Sequence, residues 1–254
     1  MTGAWPHRVP RGVFAALYFP WGMVVWAWTA AFTVASFFVA FALWSVRKEW
    51  AHAYGRLWSR TLTTVNWVRV AMTGIDKARP GQAYVIVANH QSHFDTPCFW
   101  SRFPRPLRFV MKAELMRIPF LGHGARMLGM VAIDRGDKAR AMASLRAARP
   151  LLDAGVSLVF FAEGTRSPDG RIQAFRKGAF VLAMEAGLPI LPVSISGTHR
   201  ILPGKQLTLL PGRARIAIHD PVETAGLGPS DLDALVARVH AAVASGLTTW
   251  ERGL

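Results

Sequence analysis

The 254-residue sequence predicts an α/β domain, in which helices flank a largely parallel mixed sheet, preceded by a hydrophobic N-terminal membrane segment. Two observations lead to this fold class. Beyond residue 80, short apolar runs alternate with helical stretches, which is typical of parallel strands joined by crossover helices. Before that region, residues 12–46 contain no charged side chain and no histidine.

The N-terminal apolar segment is 35 residues long, counted from 12 to 46. As one straight helix it measures roughly 52 Å at about 1.5 Å per residue, whereas the hydrocarbon core of a bilayer is about 30 Å thick. Pro20 and Gly22 predict a kink or a break near its start. Two alternatives follow: a tilted or bent membrane helix, or a two-helix re-entrant unit that enters one leaflet.

Basic residues on both sides of this segment favour the re-entrant unit. Arg8 and Arg11 precede it, and Arg47 and Lys48 follow it; basic residues mark the cytoplasmic side of a membrane helix. We therefore expect the protein at the plasma (inner) membrane, with its catalytic domain on the cytoplasmic face. A cleavable signal peptide is disfavoured, because its apolar region runs only about 7–15 residues.

The charge balance predicts a polyanionic partner. Thirty basic and 15 acidic residues give a net charge of +15, which attracts either nucleic acid or anionic lipid. The apolar segment favours the lipid surface, and the scattered basic residues lack the aromatic platform that single-stranded nucleic acids need. The single cysteine, Cys98, excludes an intrachain disulfide.

These patterns divide the chain into three segments: a membrane-anchoring segment at 1–46, an amphipathic connecting helix at 47–79, and a catalytic domain at 80–254. The polar-faced helix is predicted over 47–73 and carries Trp50, Trp58 and Trp67. Such a helix lies on the membrane surface or packs under the catalytic domain.

Within the catalytic domain, six apolar runs predict strands, at 84–88, 107–111, 130–133, 157–161, 190–195 and 213–218. Four stretches predict helices, near 95–103, 137–154, 177–187 and 231–248. Pro150 is expected to kink or split the second of these helices. Ser230 is the expected N-cap of the last one.

A histidine and a carboxylate, His90 and Asp95, stand five positions apart just after the apolar run at 84–88. Across a strand-to-helix turn the two side chains can meet. A carboxylate that holds one ring nitrogen fixes the imidazole tautomer, and the other nitrogen can then take a proton from an alcohol. The plainer interpretation is that His90 only hydrogen-bonds the turn.

Two other chemistries are weaker interpretations of this region. His90, His93 and Asp95 are all possible metal ligands, but no recognised zinc spacing accompanies them. His93 is expected to pack beside the turn. Cys98 is a possible nucleophile, although a lone cysteine is more often a small buried residue.

A glycine-containing turn follows the apolar run at 157–161. Gly164 permits a positive φ or a close backbone approach, and Arg166 has a planar fork suited to a phosphate. The alternative is a solvated basic loop. A second basic cluster faces an anionic lipid, the acidic surface of a carrier, or solvent; it comprises Arg102, Arg105, Arg108, Lys112 and Arg117.

Four blocks of sequence resemble the 1-acylglycerol-3-phosphate (lysophosphatidate) acyltransferase family of glycerolipid acyltransferases. They occur in the family's order, at 89–95, 129–135, 161–167 and 188–193. The first is the family's block of a histidine, four residues and an aspartate. Ala162 stands where the family usually has proline, which changes the stiffness of the loop more than its chemistry.

The resemblance implies a role for each site residue. His90 is the general base, and Asp95 orients it. The glycerol phosphate is bound by Lys112, Arg135, Glu163, Gly164, Thr165 and Arg166. Pro192 shapes the floor of the site and an acyl channel.

The implied reaction transfers an acyl chain from acyl-CoA or acyl carrier protein to the sn-2 hydroxyl of lysophosphatidate, with no metal or organic cofactor. The partners are membrane lipids, the lysolipid and the acyl donor, and not nucleic acid. Three alternatives stay open. In the first, the same reaction uses another lysolipid as acceptor, such as a lyso-ornithine lipid or a headgroup-bearing lysophospholipid. In the second, the protein is a membrane-bound thioester or ester hydrolase, and in the third it binds membranes without catalysis.

Overall fold

A computed structural model describes residues 11–134, 136–202 and 209–254. Within these described residues, seven strands form one sheet in the order β1-β7-β6-β2-β5-β3-β4. Their bounds are Val68–Thr73 for β1, Val85–Ala88 for β2, Leu107–Lys112 for β3, Val131–Ile133 for β4, Ser157–Phe161 for β5, Ile190–Ser196 for β6 and Gly212–Ile218 for β7.

The α-helices are α1 at Arg11–Val46, α2 at Lys48–Val65, α3 at Asp95–Arg102, α4 at Leu121–Met127, α5 at Lys138–Ala147, α6 at Arg149–Asp153, α7 at Gly178–Ala186, α8 at Thr198–Ile201 and α9 at Leu232–Ser245. Short 3₁₀ turns span Ile75–Lys77, Ala113–Arg117 and Pro229–Asp231.

β2 lies at the centre of the sheet, between β5 and β6, and is parallel to both. All its residues are buried, because helices cover both faces, and this explains its continuous apolar run. β3 and β4 extend the parallel pairing beyond β5. β7 is antiparallel to β6, and β1 is parallel to β7. The predicted fold class, a largely parallel mixed sheet flanked by helices, is therefore confirmed.

Two apolar clusters fill the space between the sheet and its helices. Ile86 of β2 packs in a cluster with Phe99 of α3, while Val87 belongs to a second cluster with Phe180 of α7 and Val239 of α9. Neighbouring residues of a strand point to opposite faces. The core therefore lies on both sides of β2 and holds its carboxyl end rigidly.

The apolar N-terminal segment is one continuous helix, α1, that runs through Pro20. The two-helix unit expected within residues 12–46 is therefore wrong, and the single-helix alternative is the one observed. Its part at Gly22–Val46 is long and apolar enough to cross a membrane, and little of this part is buried inside the protein. Large apolar side chains on α1, including Met23 and Phe38, are instead exposed.

The chain reverses at Arg47, and α2 packs back along α1, where the Tyr54 hydroxyl donates to Ser36 Oγ at 3.1 Å. The helix predicted over 47–73 is too long, since it ends at Val65 and residues 68–73 form β1. β1 alternates buried and exposed residues at its start, which is the period of a strand. The division at residues 46 and 79 stays a prediction.

Two details of the predicted helices can be compared directly. The stretch 137–154 is split into α5 and α6 on either side of Ala148, with Pro150 in the first turn of α6, as predicted. The prediction that Ser230 caps the last helix is wrong by one residue, because a 3₁₀ turn precedes α9 and Asp231 is its N-cap residue.

Candidate active site

The turn between β2 and α3 brings His90 against Asp95. Asp95 is the first residue of α3 and its side chain is fully buried. The His90 Nδ1 atom lies 2.7 Å from Asp95 Oδ2, and the same oxygen accepts the backbone N–H groups of Gln91 and Ser92 at 2.7 and 2.9 Å. One carboxylate oxygen thus closes the turn and holds the imidazole.

Aromatic stacking fixes the imidazole from its face. The Phe161 ring lies over His90, with 4.1 Å between ring centroids and 15° between planes, and Phe109 stacks on Phe161 at 6.2 Å. The imidazole Nδ1 donates to an anionic acceptor, so the proton of the neutral ring is on Nδ1. Nε2 is then the basic nitrogen, on a side chain that is 14% exposed and lines a cavity.

Glu163 ties this turn to the one after β5. Because β2 and β5 are parallel neighbours, Ala88 pairs with Phe161 and the next residues of both strands emerge side by side. Glu163 Oε1 accepts the backbone N–H of His90 at 3.0 Å. Burial, reinforced by the nearby carboxylate of Asp95, raises the pKa of Glu163 to about 8. The side chain is therefore largely a neutral acid at pH 7.

Gly164 adopts a φ of +73°, in the left-handed region that favours glycine. The Arg176 side chain packs against it, so that a Cβ added at this position would lie 2.3 Å from Arg176 Nε. The backbone conformation therefore favours glycine at this turn, and a Cβ there would displace the Arg176 side chain.

Arg166 is positioned by His93, a residue that the sequence predicted to pack beside the turn or, less plausibly, to bind a metal. Arg166 Nη1 donates to His93 Nδ1 at 2.8 Å. Partial burial and the charge of Arg166 lower the pKa of His93 to about 4, so the imidazole is neutral at physiological pH and can accept. This contact places the guanidinium beside the turn that carries His90, and His90 and Arg166 line the same cavity.

The cavity has a volume of about 630 Å³, within the range of a small-molecule site. It lies between the carboxyl ends of the strands and the hairpin of α1 and α2. Polar side chains line one part of it: His90, His93, Lys112, Thr165 and Arg166. Most of the remaining wall is apolar, for example Phe37, Ala40, Trp58, Trp100, Leu121 and Met130. Such a lining suits a molecule with an anionic head and a hydrocarbon chain.

Of the other residues that the sequence predicted for the substrate site, some lie at the cavity and one lies away from it. Lys112 ends β3 in the cavity wall and pairs with Glu114 at 2.9 Å, while Thr165 is exposed at the rim. Pro192 lies inside β6 opposite Val87 and is not among the described residues of the cavity wall. Arg135 lies outside the described residues.

The possible metal and cysteine chemistries find no geometric support. In the part of the chain that the structure describes, no group of three or more histidine, cysteine or acidic side chains is placed to hold a metal ion. Cys98 is fully buried in the core, and burial raises the pKa of its thiol well above the ordinary value. An inert buried cysteine is the interpretation that fits.

Sequence reasoning missed several polar side chains that hold the turn at residues 89–95. Asn89 exchanges two hydrogen bonds of 2.8 Å with the backbone of Ile195 in β6. Gln91 Nε2 donates to the Gly170 carbonyl at 3.0 Å and to Glu251 Oε1 at 3.1 Å. Asn89 and Gln91 lie inside the first motif block, so their position was a signal. Glu251 is 160 residues away in sequence from Gln91 and carries no local signal.

Several known proteins are similar to this chain in sequence. A family model described as acyltransferase matches residues 69–196. A chloroplastic 1-acyl-sn-glycerol-3-phosphate acyltransferase of Arabidopsis thaliana is 32% identical over 69% of this chain and 49% of its own length. The 1-acyl-sn-glycerol-3-phosphate acyltransferase of Pseudomonas aeruginosa is 33% identical over 68% of this chain and 67% of its own. The chain thus spans about half the length of the plant relative.

A solved structure extends the similarity to nearly the whole chain. The crystal structure of the 1-acyl-sn-glycerophosphate (LPA) acyltransferase PlsC from Thermotoga maritima superposes with a TM-score of 0.73 and 31% sequence identity, covering 93% of this chain and 94% of that one. The covered part is therefore larger than the sheet and its motifs.

Proposed function

This chain belongs to the acyltransferase family, and we propose that it transfers a fatty acyl group from a thioester to the sn-2 hydroxyl of lysophosphatidate, forming phosphatidate. The observation that carries the proposal is the imidazole of His90, held through Nδ1 by buried Asp95 at the polar part of an otherwise apolar cavity. A base that faces both a guanidinium and a hydrocarbon-compatible wall suits a lysolipid acceptor.

In the proposed reaction, His90 Nε2 takes the proton of the acceptor hydroxyl while its oxygen attacks the thioester carbonyl. The tetrahedral intermediate then collapses with cleavage of the carbon–sulfur bond. The imidazolium returns the proton to the departing thiolate, so no acyl-enzyme forms and the enzyme is regenerated. General-base assistance of this kind contributes about 10²–10⁴ in rate, and backbone N–H groups near the turn are candidate donors to the oxyanion.

The acceptor phosphate is proposed to bind beside Arg166 and Lys112. Arg166 offers two parallel donors to a phosphate, and His93 holds it at the cavity. Lys112 adds a point charge from the end of β3. Glu163, which accepts the backbone N–H of His90, and Gly164, with its positive φ, are proposed to shape the turn that carries Arg166 to the phosphate.

The hydrocarbon chains are proposed to lie against the apolar wall contributed by α1 and α2. The exposed apolar side chains of α1 suit burial in lipid, where the acceptor and the product reside. The net charge of +15 favours an anionic leaflet. On this basis we place the protein at the inner membrane with the catalytic domain on the cytoplasmic face, where acyl-CoA or acyl carrier protein supplies the acyl group. The proposal requires no metal or organic cofactor.

An acyl-transfer assay on membranes that contain the protein tests the proposal. Labelled lysophosphatidate and a panel of other lysolipids are offered with acyl-CoA and, separately, with acyl carrier protein. We expect phosphatidate formation that falls at least about 100-fold in His90→Ala. His123→Ala is the control for loss of a histidine, because His123 is exposed on α4 and meets the cavity wall only at the edge of the Phe37 ring.

Each other outcome has a defined meaning. His90-dependent acylation of a different lysolipid would keep the mechanism and replace the acceptor. Release of free fatty acid without an acceptor would indicate a hydrolase. Activity of His90→Ala close to that of the wild type would refute His90 as the base.

A further inference from the structure

A second buried carboxylate, far from the catalytic pair in sequence, contacts the catalytic turn. Glu251 lies in the turn after α9 and is only 3% exposed. Its Oε1 accepts from Gln91 Nε2 at 3.1 Å and from the backbone N–H of Gly197 at 2.8 Å. Its Oε2 accepts from the Ser196 hydroxyl at 2.7 Å and from both the N–H and the hydroxyl of Thr248 at 2.9 and 2.8 Å.

All five of these donors are neutral groups. Burial alone would raise the pKa of Glu251, but the hydrogen bonds outweigh it and the pKa is lowered. The carboxylate is therefore ionised at neutral pH and uses both oxygens as acceptors. Replacing this carboxylate by an amide is costly, because the amide NH2 would face the buried donors that one carboxylate oxygen now accepts. Those donors would then lack an acceptor.

Gln91 connects this carboxylate to the catalytic pair. Its backbone N–H donates to Asp95 Oδ2 at 2.7 Å, while its side-chain Nε2 donates to Glu251 Oε1. The residue beside His90 is thus held at its backbone by the orienting aspartate and at its side chain by Glu251.

The turn that carries Arg166 is attached to the same point. Gln91 Nε2 also donates to the Gly170 carbonyl at 3.0 Å, and the Ile172 N–H donates to the backbone carbonyl of Glu251 at 2.8 Å. Trp250 packs close to Gly170, where an added Cβ would lie 2.9 Å from its ring. The C-terminal turn therefore contacts both the loop of the base and the loop of the proposed phosphate site.

We propose that Glu251 is a positioning residue for acyl transfer, which acts through Gln91 to hold the His90–Asp95 turn in register with the Arg166 loop. The assignment rests on the proposed function. It makes the C-terminal turn part of the catalytic apparatus, although Glu251 does not line the cavity and contacts no reacting atom.

The first test compares Glu251→Gln with Glu223→Gln in the full-length protein. Glu223 is an exposed glutamate next to Val222, which pairs with Ile190 at the amino end of β6, and it lies 3.9 Å from Arg79. It receives the same chemical change without a contact to the site. We expect kcat for phosphatidate formation to fall about 10–100-fold in Glu251→Gln, as for a small misplacement of a catalytic group. Glu223→Gln should leave kcat unchanged.

Hydrogen–deuterium exchange provides a measurement that needs no substrate. In detergent micelles, Glu251→Gln should speed exchange of the amides at 89–95 and 167–172, and leave the amides of α5 unchanged. Faster exchange confined to 246–254 would overturn the proposal, since Glu251 would then only anchor the C-terminus. Because this readout is independent of catalysis, it remains decisive if the wild type makes no phosphatidate.

A double-mutant cycle tests whether the effect passes through Gln91. Gln91→Met removes the side-chain donor and keeps the backbone contact with Asp95. If Glu251 acts through Gln91, the double variant should lose scarcely more kcat than either single variant. Multiplicative losses would refute the coupling. If Glu251→Gln does not fold, Gln91→Met alone decides: unchanged kcat and unchanged exchange at 89–95 would overturn the proposal.

Discussion

Replacing Asp95 by asparagine isolates the charge of the carboxylate from its shape. Asp95 Oδ2 accepts three hydrogen bonds, from His90, Gln91 and Ser92, whereas Oδ1 is buried without a partner among the described residues. The amide oxygen of asparagine can take the place of Oδ2 and keep all three contacts. The substitution then mainly removes the negative charge beside the imidazole.

The size of the effect follows from the charge that develops on His90. In the proposed reaction the imidazole takes the proton of the acceptor, and an imidazolium forms next to a carboxylate 2.7 Å away. Two unit charges about 4 Å apart attract by about 4 kcal/mol at an effective dielectric constant near 20, equivalent to about 10³-fold in rate. Since this interaction exists only when the ring is charged, we expect kcat to fall by about 10³ with little change in the KM for the acceptor.

The assay measures steady-state phosphatidate formation by the purified full-length protein in detergent, at saturating acyl donor. Asp153→Asn is the control, because Asp153 forms an exposed pair with Arg149 at 3.0 Å and lies away from the cavity. If Asp95→Asn kept more than a tenth of the wild-type kcat with an unchanged unfolding temperature, Asp95 would only fold the turn and the electrostatic reasoning would be refuted.

Three further predictions concern the surrounding residues. Because burial raises the pKa of Glu163 from 4.5 to about 8, the free energy of unfolding should fall as the pH rises from 4.5 to 8, by on the order of 5 kcal/mol. Glu163→Gln should remove this pH dependence, as measured by unfolding at several pH values. Gly164→Ala should cost about 1–3 kcal/mol and raise the acceptor KM, since its Cβ meets Arg176. On α1, Met23→Lys should reduce membrane retention, because Met23 is exposed. Ala40→Phe should leave retention unchanged and reduce the use of long acyl donors, because Ala40 lines the cavity. If each variant changed both retention and donor use equally, α1 would not have separate lipid-facing and cavity-facing sides.

Each motif was recognisable from its local pattern, whereas their meeting in one site was implied by the family resemblance. Both turns follow short apolar runs, and the carboxyl ends of parallel strands emerge at one edge of a sheet. Since β2 and β5 are neighbours, His90 and Glu163 come within hydrogen-bonding distance. The sequence alone did not indicate that β5 is the neighbour of β2.

The features that were missed depend on long-range contacts or on weak local patterns. β1 begins Val68-Arg69-Val70, and its two buried valines also fit the end of an amphipathic helix. Ser230 was a reasonable helix cap until the 3₁₀ turn displaced the start of α9 by one residue. Glu251 is a single glutamate near the C-terminus, and its role exists only because the fold brings Ser196, Gly197 and Gln91 to it.

The continuity of α1 changes what the apolar segment contributes to the proposed reaction. A proline is tolerated inside a membrane helix when the surrounding structure satisfies the freed backbone carbonyl, and α1 continues through Pro20 to the reversal at Arg47. One side of this helix presents Thr33, Phe37 and Ala40 to the cavity, while other side chains remain exposed for lipid. In the proposed function, the same helix therefore both contacts the bilayer and forms part of the wall for the acyl chain. Removing residues 1–46 should consequently open the cavity as well as release or aggregate the domain, so that a truncated protein kept monodisperse in detergent would still lose acyl transfer.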